Sequence, residues 1–287
     1  MFFDGWRIED LLLYRPLVYL VAFGRDSIFE ELRLCLSSLV TLGGYDGDVL
    51  VIGDRQREAL LPWIPPELHA RVHTFTLRAN QRPDYVAARY LLPKWAPSAG
   101  YQPFLYMDVD VIVDRPVRAL LEQLPGRRRM TAQREQFSIL NRRPSVGQLL
   151  FRDDGIDTGG AAGFNSGIVG IPSLREHAGT LRKIGELIYR YAPQREGKSF
   201  THVDQPIANY VVYKLAAIDP EPVTSCVRYT HNGELCGGDQ PLGFVHFWGS
   251  GPDPVTIRVM RQYLDEQCAA ASSASFSAAP LLQSPAG

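Results

Sequence analysis

Two aspartates, Asp108 and Asp110, come just after the apolar run Phe104–Met107. Their type and spacing point to a chemical role more clearly than those of any other residues in the chain. On an extended segment side chains alternate between faces, so the two carboxylates would share a face with Cα atoms about 6.6 Å apart. Buried together, they would repel each other and lose hydration unless a cation neutralised them. The spacing therefore predicts a divalent-cation site. Asp114, about 13 Å further along a straight strand, is predicted to lie outside it.

A late histidine could complete this site. His246 lies in the glycine-flanked segment 243–251, where Trp248 would share its face if the segment is a strand. An imidazole nitrogen combined with carboxylate oxygens suits Mn²⁺ better than Ca²⁺, which prefers oxygen ligands alone. A lone histidine is more often a hydrogen-bonded structural residue, so His246 is predicted as a ligand only together with Asp108 and Asp110.

Two further polar segments carry groups that could orient a hydroxylated substrate. Asn165 stands before a strand-like run, where turn chemistry is the alternative explanation. Asp204 and Gln205 precede Pro206 and an apolar helical pattern, so an N-cap explains Asp204 equally well. The two roles are compatible, because a carboxylate at a helix start can accept hydrogen bonds from hydroxyls and the Gln205 amide can both donate and accept.

The elements that must position these groups follow an alternating β/α pattern. Strands are predicted at residues 17–23, 48–52 and 72–77 and at the acidic segment, with a further strand opening at 127–130. Helices are predicted from Asp26 and Ser27, as capping residues, to Gly43 and Gly44, and over residues 85–95. This order predicts an α/β fold with a mostly parallel central sheet, in which ligands bind at the carboxyl ends of the strands. The acidic pair lies at such an end.

Composition limits the class of protein and its partners. The chain has 287 residues, 45% of them hydrophobic, and can bury a substantial core. With 30 basic and 31 acidic residues, the formal net charge of −1 argues against a nucleic-acid-binding surface and favours a small or neutral substrate. Four scattered cysteines lack zinc-type spacing, which predicts reduced thiols and a cytoplasmic location. No transmembrane segment is expected, since a span takes about 20 apolar residues. Peripheral membrane association stays open.

These segments together resemble the GT-A glycosyltransferases, most closely the family-eight type that includes glycogenin and the lipopolysaccharide galactosyltransferases. The resemblance implies a Rossmann-like nucleotide-diphospho-sugar transferase fold. It also implies that an Asp-x-Asp motif, here Asp108, Val109 and Asp110, binds Mn²⁺ or Mg²⁺ on the diphosphate of a nucleotide sugar. His246 and Gly249 match the late His-x-x-Gly element of the same site.

The resemblance further implies roles in binding the donor and the transferred sugar. Arg89, in a Tyr-x-x-x-Arg-Tyr-Leu-Leu-Pro run, matches a basic residue that reaches the donor, although a surface ion pair on its helix is the alternative. Ala22, Phe23 and Gly24 match the position that holds the nucleoside, and Gly251 belongs to the flexible segment beside the ligand. The residues implied to act at the transferred sugar are Asn165, Asp204 and Gln205.

The implied activity is transfer of a hexose from a nucleotide-diphosphate sugar, with UDP-hexose as the expected donor, to a carbohydrate or glycan acceptor with retention. Relatives commonly continue the late histidine element with Lys-Pro-Trp, whereas residues 249–254 read Gly-Ser-Gly-Pro-Asp-Pro. Phosphate charge would then be met by the cation, backbone amides or Arg89.

Two alternatives stay open: a non-catalytic nucleotide-sugar-binding protein, and a haloacid-dehalogenase-like phosphatase with a nucleophilic Asp108. The phosphatase motif normally begins its domain, however, whereas three strand–helix units precede it here. A nucleotidyltransferase is less favoured, because no lysine-containing glycine-rich loop follows the first strand.

The resemblance spans roughly residues 17–251 and is expected to form a single catalytic domain over residues 1–265. Within it, residues 17–115 are expected to bind the nucleotide and residues 116–265 to face the acceptor. Residues 266–287 are rich in Ala, Ser and Pro without periodicity and are predicted to form a disordered tail.

Overall fold

A computed structural model describes residues 14–191, 204–231, 234–238, 240–248, 250–251 and 253–277. Its strands are β1 (Leu17–Ala22), β2 (Asp48–Gly53), β3 (Val72–Thr76), β4 (Phe104–Met107), β5 (Val111–Val113), β6 (Thr131–Ile139), β7 (Ala162–Ile171), β8 (Val227–His231), β9 (Glu234–Cys236) and β10 (Phe244–His246). Its α-helices are α1 (Asp26–Thr41), α2 (Arg57–Leu60), α3 (Arg82–Ala87), α4 (Arg118–Leu121), α5 (Gln148–Asp153), α6 (Leu174–Tyr191), α7 (Gln205–Lys214), α8 (Glu221–Thr224) and α9 (Asp253–Ser277).

The larger sheet has six strands in the order β3-β2-β1-β4-β7-β6. Its first four strands run parallel, and β7 is antiparallel to both of its neighbours. Strand β1 is apolar on both faces because both faces are covered: Leu17 and Tyr19 pack into one core, and Val18 and Leu20 into another. The predicted α/β fold with a mostly parallel sheet is confirmed.

Helices cover the two faces of this sheet. On one side α1 packs against the sheet through Phe29, Leu32 and Leu36. On the opposite side α6 and α7 contribute Leu181 and Ile207 to the core that also contains Leu17 and Tyr19. Full burial of each such side chain stabilises the fold by about 1.5–3 kcal/mol, so these layers hold the strand ends in a rigid frame.

A smaller sheet, ordered β5-β10-β8-β9, stands beside the carboxyl end of β4. The chain leaves the larger sheet at Met107, turns through residues 108–110, and enters the smaller sheet at Val111. The acidic pair thus lies at the end of a strand, as expected, but residues 108–110 form a turn and not the extended segment assumed for their spacing. Aspartate is unfavourable within strands and favourable in turns, so the Asp-x-Asp sequence ends one strand and precedes the next.

A buried ion pair joins the smaller sheet to α9. Arg228 Nη2 lies 2.6 Å from Asp114 Oδ2, and both side chains are fully buried. The Tyr263 hydroxyl donates to the same carboxylate at 2.8 Å, and the Gly243 amide donates to Asp114 Oδ1 at 2.7 Å. Asp114 thus has a structural partner of its own and lies outside the acidic-pair site, as expected. Its bond to Gly243 anchors the residue before β10.

Two helix predictions need correction. The helix expected over residues 85–95 is the short α3 followed by two 3₁₀ turns, Ala88–Tyr90 and Leu92–Lys94, because Pro93 removes a backbone donor from the expected helix. At the start of α1, Asp26 and Ser27 do not act as capping side chains: Asp26 pairs with Arg55, and the Ser27 hydroxyl donates to Asp253. The strand expected to open at 127–130 begins at Thr131.

The disordered tail predicted from residue 266 is wrong as far as Ser277, because α9 continues to that residue. Alanine is the strongest helix former, and this stretch contains no proline, so the helix extends without needing an apolar face. Residues 278–287 lie outside the described part of the chain. No helix among the described residues is long and apolar enough to cross a membrane.

Candidate metal and donor site

The acidic pair is held at the junction of the two sheets by its backbone. The Asp108 amide donates to Gly167 O of β7 at 2.7 Å, and the Phe247 amide donates to Asp110 O at 2.9 Å. One backbone bond reaches each sheet, so both carboxylates are placed at the carboxyl end of β4. Ligands bind at this end of the strands in open parallel sheets.

Strand register brings His246 to the same junction. Strand β10 is antiparallel to β5, with His246 opposite Val111, the residue after Asp110. The His246 Nε2 atom lies 3.3 Å from Asp110 Oδ1 and 3.9 Å from Asp108 Oδ2. One potential ligand atom from each of the three residues falls within 4.8 Å of the others. The structure therefore brings together the three residues expected to share one cation; their role as ligands stays a prediction.

A glycine creates the space for the imidazole. A Cβ atom placed on Gly167 would lie 2.2 Å from His246 Cε1 and 2.8 Å from its Nε2, far inside contact distance. The side chain of His246 is packed against this backbone and the residue is only 3% exposed. Any side chain at position 167 would force the imidazole away from its present position.

The charges in the site depend strongly on one another. Burial raises the pKa of Asp108, an effect that the nearby Arg89 cation opposes. Burial also acts to raise the pKa of Asp110, but the His246 imidazole outweighs it and leaves that pKa lowered. Burial disfavours the protonated form of His246, yet Asp110 outweighs it and raises the pKa of the imidazole. The two carboxylates thus depend on positive charge beside them, which Arg89 supplies at Asp108 and which His246 favours at Asp110.

The donor set fits a divalent cation. Metal–ligand bonds of about 2.0–2.2 Å place ligand atoms roughly 3–4.4 Å apart around one ion, close to the separations of these three side chains. Two carboxylates and one imidazole are ligands shared by Mn²⁺ and Mg²⁺ sites, with the nitrogen favouring Mn²⁺. Asp108, Asp110 and His246 could hold such an ion with small movements of their side chains.

Arg89 lies beneath this site rather than on the surface. Its guanidinium contacts Asp108 Oδ1 at 3.1 Å and Asp204 Oδ2 at 3.4 Å, and it donates to the Ser166 carbonyl at 3.0 Å. The central carbon of the guanidinium lies 4.8 Å from the centre of the Tyr106 ring. The alternative of a surface ion pair is wrong, since the side chain is 16% exposed. Arg89 connects the acidic pair to the second polar group of the site.

Asp204 and its neighbours form that second group. Asp204 occupies the N-cap position of α7 but makes no capping hydrogen bond with its side chain. Its Oδ2 instead accepts from the hydroxyls of Tyr90 and Ser166, each at 3.2 Å. Gln205 Oε1 accepts from the Ser166 amide at 3.3 Å, and Asn165 Oδ1 accepts from the Gly167 amide at 2.7 Å. The structure thus gathers all three residues expected at the transferred sugar along β7.

The end of β1 carries the residues expected to hold the nucleoside. Ala22 is the buried last residue of the strand, and the Phe23 ring meets the exposed Tyr85 ring edge-to-face at 5.3 Å. Gly24 has a φ of +83°, a conformation that favours glycine, and its amide donates to Asp54 at 2.9 Å. The aromatic partner Tyr85 was not anticipated, because its helical position carries no signal of it.

The segment after β10 is described only in part. Trp248 lies beyond the end of the strand and stacks on Tyr229 of β8, so the shared strand face expected with His246 does not form. Gly251 has a φ of +126° and is exposed. Gly249 lies outside the described residues, and its expected contact with phosphate stays a prediction.

Besides Tyr85, the sequence analysis missed two further residues of the site. Tyr106 donates its hydroxyl to Asp108 Oδ1. It stands two positions earlier on the same run, and strand alternation could have placed it on that face. Glu31 is buried on α1, and burial together with the Asp110 and Asp253 carboxylates raises its pKa to about 8. Helical spacing places Glu31 among the apolar positions of α1, which was the available signal.

No model of a known protein family and no curated protein matches the sequence. Solved structures do match. The galactosyltransferase LgtC, determined in complex with donor and acceptor sugar analogs, has a TM-score of 0.61 at 13% identity, covering 88% of this chain and 95% of its own. The chain has a GT-A fold. The bifunctional glycosyltransferase WbbM has a TM-score of 0.57 at 12% identity, covering 89% of this chain and 51% of its own. The glycosyltransferase GlyE of Streptococcus pneumoniae has a TM-score of 0.51 at 15% identity, covering 92% of this chain and 64% of its own.

Within the GT-A fold, the acidic pair stands where the parallel strands end and the smaller sheet begins. The likeness to these proteins rests on the fold, since all three identities are 15% or lower. It agrees with the fold expected from the sequence motifs. Chemistry has to be argued from the site itself.

Proposed function

We propose that this protein is a metal-dependent glycosyltransferase that moves a hexose from a nucleotide-diphosphate sugar to a carbohydrate or glycan acceptor. The observation that carries the proposal is the convergence of Asp108, Asp110 and His246 at the carboxyl end of β4. Asp108 and Asp110 lie between the two sheets and His246 lies on β10, whereas the smaller sheet has a buried ion pair of its own in Asp114 and Arg228.

A divalent ion at this position would stabilise the negative charge that develops on a departing diphosphate. Asp108, Asp110 and His246 would hold it, with Mn²⁺ or Mg²⁺ as the candidates. Arg89 acts on the protein side: its contacts with Asp108 and Asp204 hold both carboxylates in place and keep the first from rotating out of the site. The expected direct contact between Arg89 and the donor is a further part of the proposal.

The remaining groups suit the two ends of a nucleotide sugar. Phe23 and Tyr85 offer aromatic surface for a base, with UDP-hexose as the proposed donor. Asp204, Gln205 and Asn165 offer carboxylate and amide groups that position sugar hydroxyls, an effect worth several powers of ten in rate when reacting atoms are aligned. We propose retention at the anomeric carbon, in line with the motif resemblance, and a cytoplasmic location.

Donor binding and product analysis test the proposal. Wild-type protein should bind UDP-sugars only with Mn²⁺ or Mg²⁺ present and should release UDP when an acceptor is supplied. Asp110→Asn preserves side-chain volume but removes one metal ligand, so we expect loss of measurable donor binding. Its thermal transition without metal should stay close to that of wild type, because relief of the repulsion between the two carboxylates is offset by the lost pairing with His246. Asp46→Asn, an exposed aspartate elsewhere, is the control.

Three outcomes separate the proposal from its rivals. Wild-type donor affinity in Asp110→Asn would remove the argument from the metal site. Donor binding without turnover across a panel of donors and acceptors would indicate a nucleotide-sugar-binding protein. A phosphorylated Asp108 would indicate a phosphatase, although β1 to β3 precede the acidic pair here and the fold matches glycosyltransferases.

A further inference from the structure

A cavity opens beside the metal and donor site. Its volume is about 440 Å³, within the roughly 300–1,000 Å³ of small-molecule sites. Two lining residues connect it to the site: Trp248 follows His246 by two positions, and Asn165 bonds to Gly167, which packs against the His246 ring. A ligand in this cavity would therefore lie next to whatever occupies the metal and donor site.

One wall of the cavity is aromatic. Trp248 and Tyr229 are stacked, with ring centroids 6.1 Å apart and an interplanar angle of 23°, and His231 lies 6.0 Å from the Trp248 ring. Both Trp248 and Tyr229 are half-buried, so part of their surface faces open space. The negative faces of aromatic rings attract the partly positive C–H groups that a pyranose presents on its apolar side. Trp248 is thus a platform of the size of one sugar ring.

Other lining residues carry uncommitted hydrogen-bonding capacity. Gln133 is 6% exposed, and its Oε1 has no hydrogen-bond partner among the described residues. A buried acceptor without a partner costs about 1–3 kcal/mol, which a ligand hydroxyl could recover. The terminal amide torsion is broad, so a small rotation turns this oxygen into the cavity. Asn165 contributes a second amide, whose Nδ2 makes a long hydrogen bond of 3.5 Å to Glu135.

The charged lining residues disfavour an anionic ligand. Arg134 is already paired with Glu221, and Glu135 accepts only a long hydrogen bond from the neutral Asn165 amide. An anionic ligand would have to displace Glu221 from Arg134 and would meet the Glu135 carboxylate. A neutral, hydroxyl-rich ligand would not, and it would use both the aromatic wall and the Gln133 amide.

We propose that this cavity binds a neutral hexose residue of the acceptor, with its ring on Trp248 and a hydroxyl donating to Gln133. This assignment rests on the proposed transferase function. It gives the acceptor a fixed position, since the sugar ring stands between the aromatic wall and Asn165 with its free edge towards the metal and donor site. Trp248 and Gln133 then determine which acceptors are used.

Saturation-transfer NMR on the full chain tests the assignment, with lactose and the methyl glycosides of glucose, galactose and mannose as probes and with UDP and the diamagnetic ion Mg²⁺ present. Wild-type protein should transfer saturation to the ring C–H protons of at least one probe. Trp248→Ala should weaken its binding at least tenfold. Gln133→Met keeps the side-chain volume without the amide, and should weaken it about tenfold. Trp63→Ala, on the Phe29 side of the larger sheet, is the matched control and should bind normally.

The results separate the two proposals. Probe binding that is unchanged in folded Trp248→Ala and Gln133→Met overturns the cavity assignment, as does a wild-type protein that binds Mn²⁺ and UDP but none of the neutral probes. Stronger binding of methyl glucuronide than of methyl glucoside would also overturn it, because the ligand would then be anionic. Neutral probes that bind in a Trp248-dependent way without any binding of Mn²⁺ or UDP would support the sugar site and refute the transferase. Circular dichroism shows whether each variant is folded.

Discussion

A single methyl group at Gly167 should separate metal binding from folding. In Gly167→Ala the new Cβ would lie 2.2 Å from His246 Cε1, about 1.2 Å short of the 3.4 Å at which ordinary contact begins. It would also lie 2.9 Å from Asn165 Oδ1. The Gly167 carbonyl accepts from the Asp108 amide and the strand pairs with β4 from Ile168 onward, so the imidazole side chain is the group expected to move.

The size of that movement sets the expected effect. Metal ligands tolerate displacements of about 0.2 Å, and a shift of the order of 1 Å removes His246 from the coordination shell. Loss of one protein ligand from three should weaken Mn²⁺ binding at least about 100-fold, equivalent to roughly 2.7 kcal/mol. Overpacking should also lower stability by about 1–3 kcal/mol.

Gly170→Ala provides the matched control on the same strand. A Cβ atom there would lie 2.7 Å from Thr131 Cγ2 and 2.9 Å from Leu124 Cδ2, so it overpacks the core without touching the imidazole. We expect both variants to lose stability in denaturant titrations. Only Gly167→Ala should lose Mn²⁺ affinity, measured by calorimetry or by the electron paramagnetic resonance signal of free Mn²⁺.

A double-mutant cycle identifies the route of the effect. If alanine at position 167 acts through His246, adding His246→Ala to Gly167→Ala should change Mn²⁺ affinity little, and the two losses should be strongly non-additive. Wild-type Mn²⁺ affinity in folded Gly167→Ala would refute the reasoning, because a displaced imidazole would then be irrelevant to the cation. Fully additive losses would show that the methyl group acts by another route.

Two further predictions concern buried charge. Burial, reinforced by neighbouring carboxylates, raises the pKa of Glu31 to about 8, so the folded state holds a proton that the unfolded chain releases near its ordinary pKa. Stability should therefore fall as pH rises from about 4.5 to 8, with a slope of at most about 1.4 kcal/mol per pH unit. Urea titrations should show this slope weakened in Glu31→Gln and retained in the exposed control Glu58→Gln; equal slopes in all three proteins would contradict it. Asp114→Ala leaves Arg228 buried without its partner and should cost about 3–5 kcal/mol. Asp26→Ala, which removes an exposed pair, should stay within about 1 kcal/mol, and similar losses in the two variants would argue against a structural role for the buried pair.

Local sequence was sufficient where the physical signal is local. Strands β1, β2 and β3 appear as apolar runs because both faces of a covered parallel sheet are buried, and the predicted bounds differ from the observed ones by one residue. The acidic pair was placed correctly at the end of a strand, since aspartates are disfavoured within one. Where prediction failed, the cause was equally physical. Pro93 broke a helix whose periodicity looked continuous, and the Ala-rich end of α9 is helical without an apolar face to reveal it.

The sequence by itself determined the chemical character of the site. It provides two carboxylates with one residue between them and an imidazole far along the chain, and these side chains are of types that bind a divalent cation. Only the tertiary structure decided that they meet. That meeting depends on the antiparallel register of β10 against β5 and on the absence of a side chain at Gly167. Both the strand register and the contact between Gly167 and His246 arise between segments that are far apart in the chain, and no local pattern encodes a distance between them. The same reason explains why the cavity at Trp248 became visible only in the folded chain.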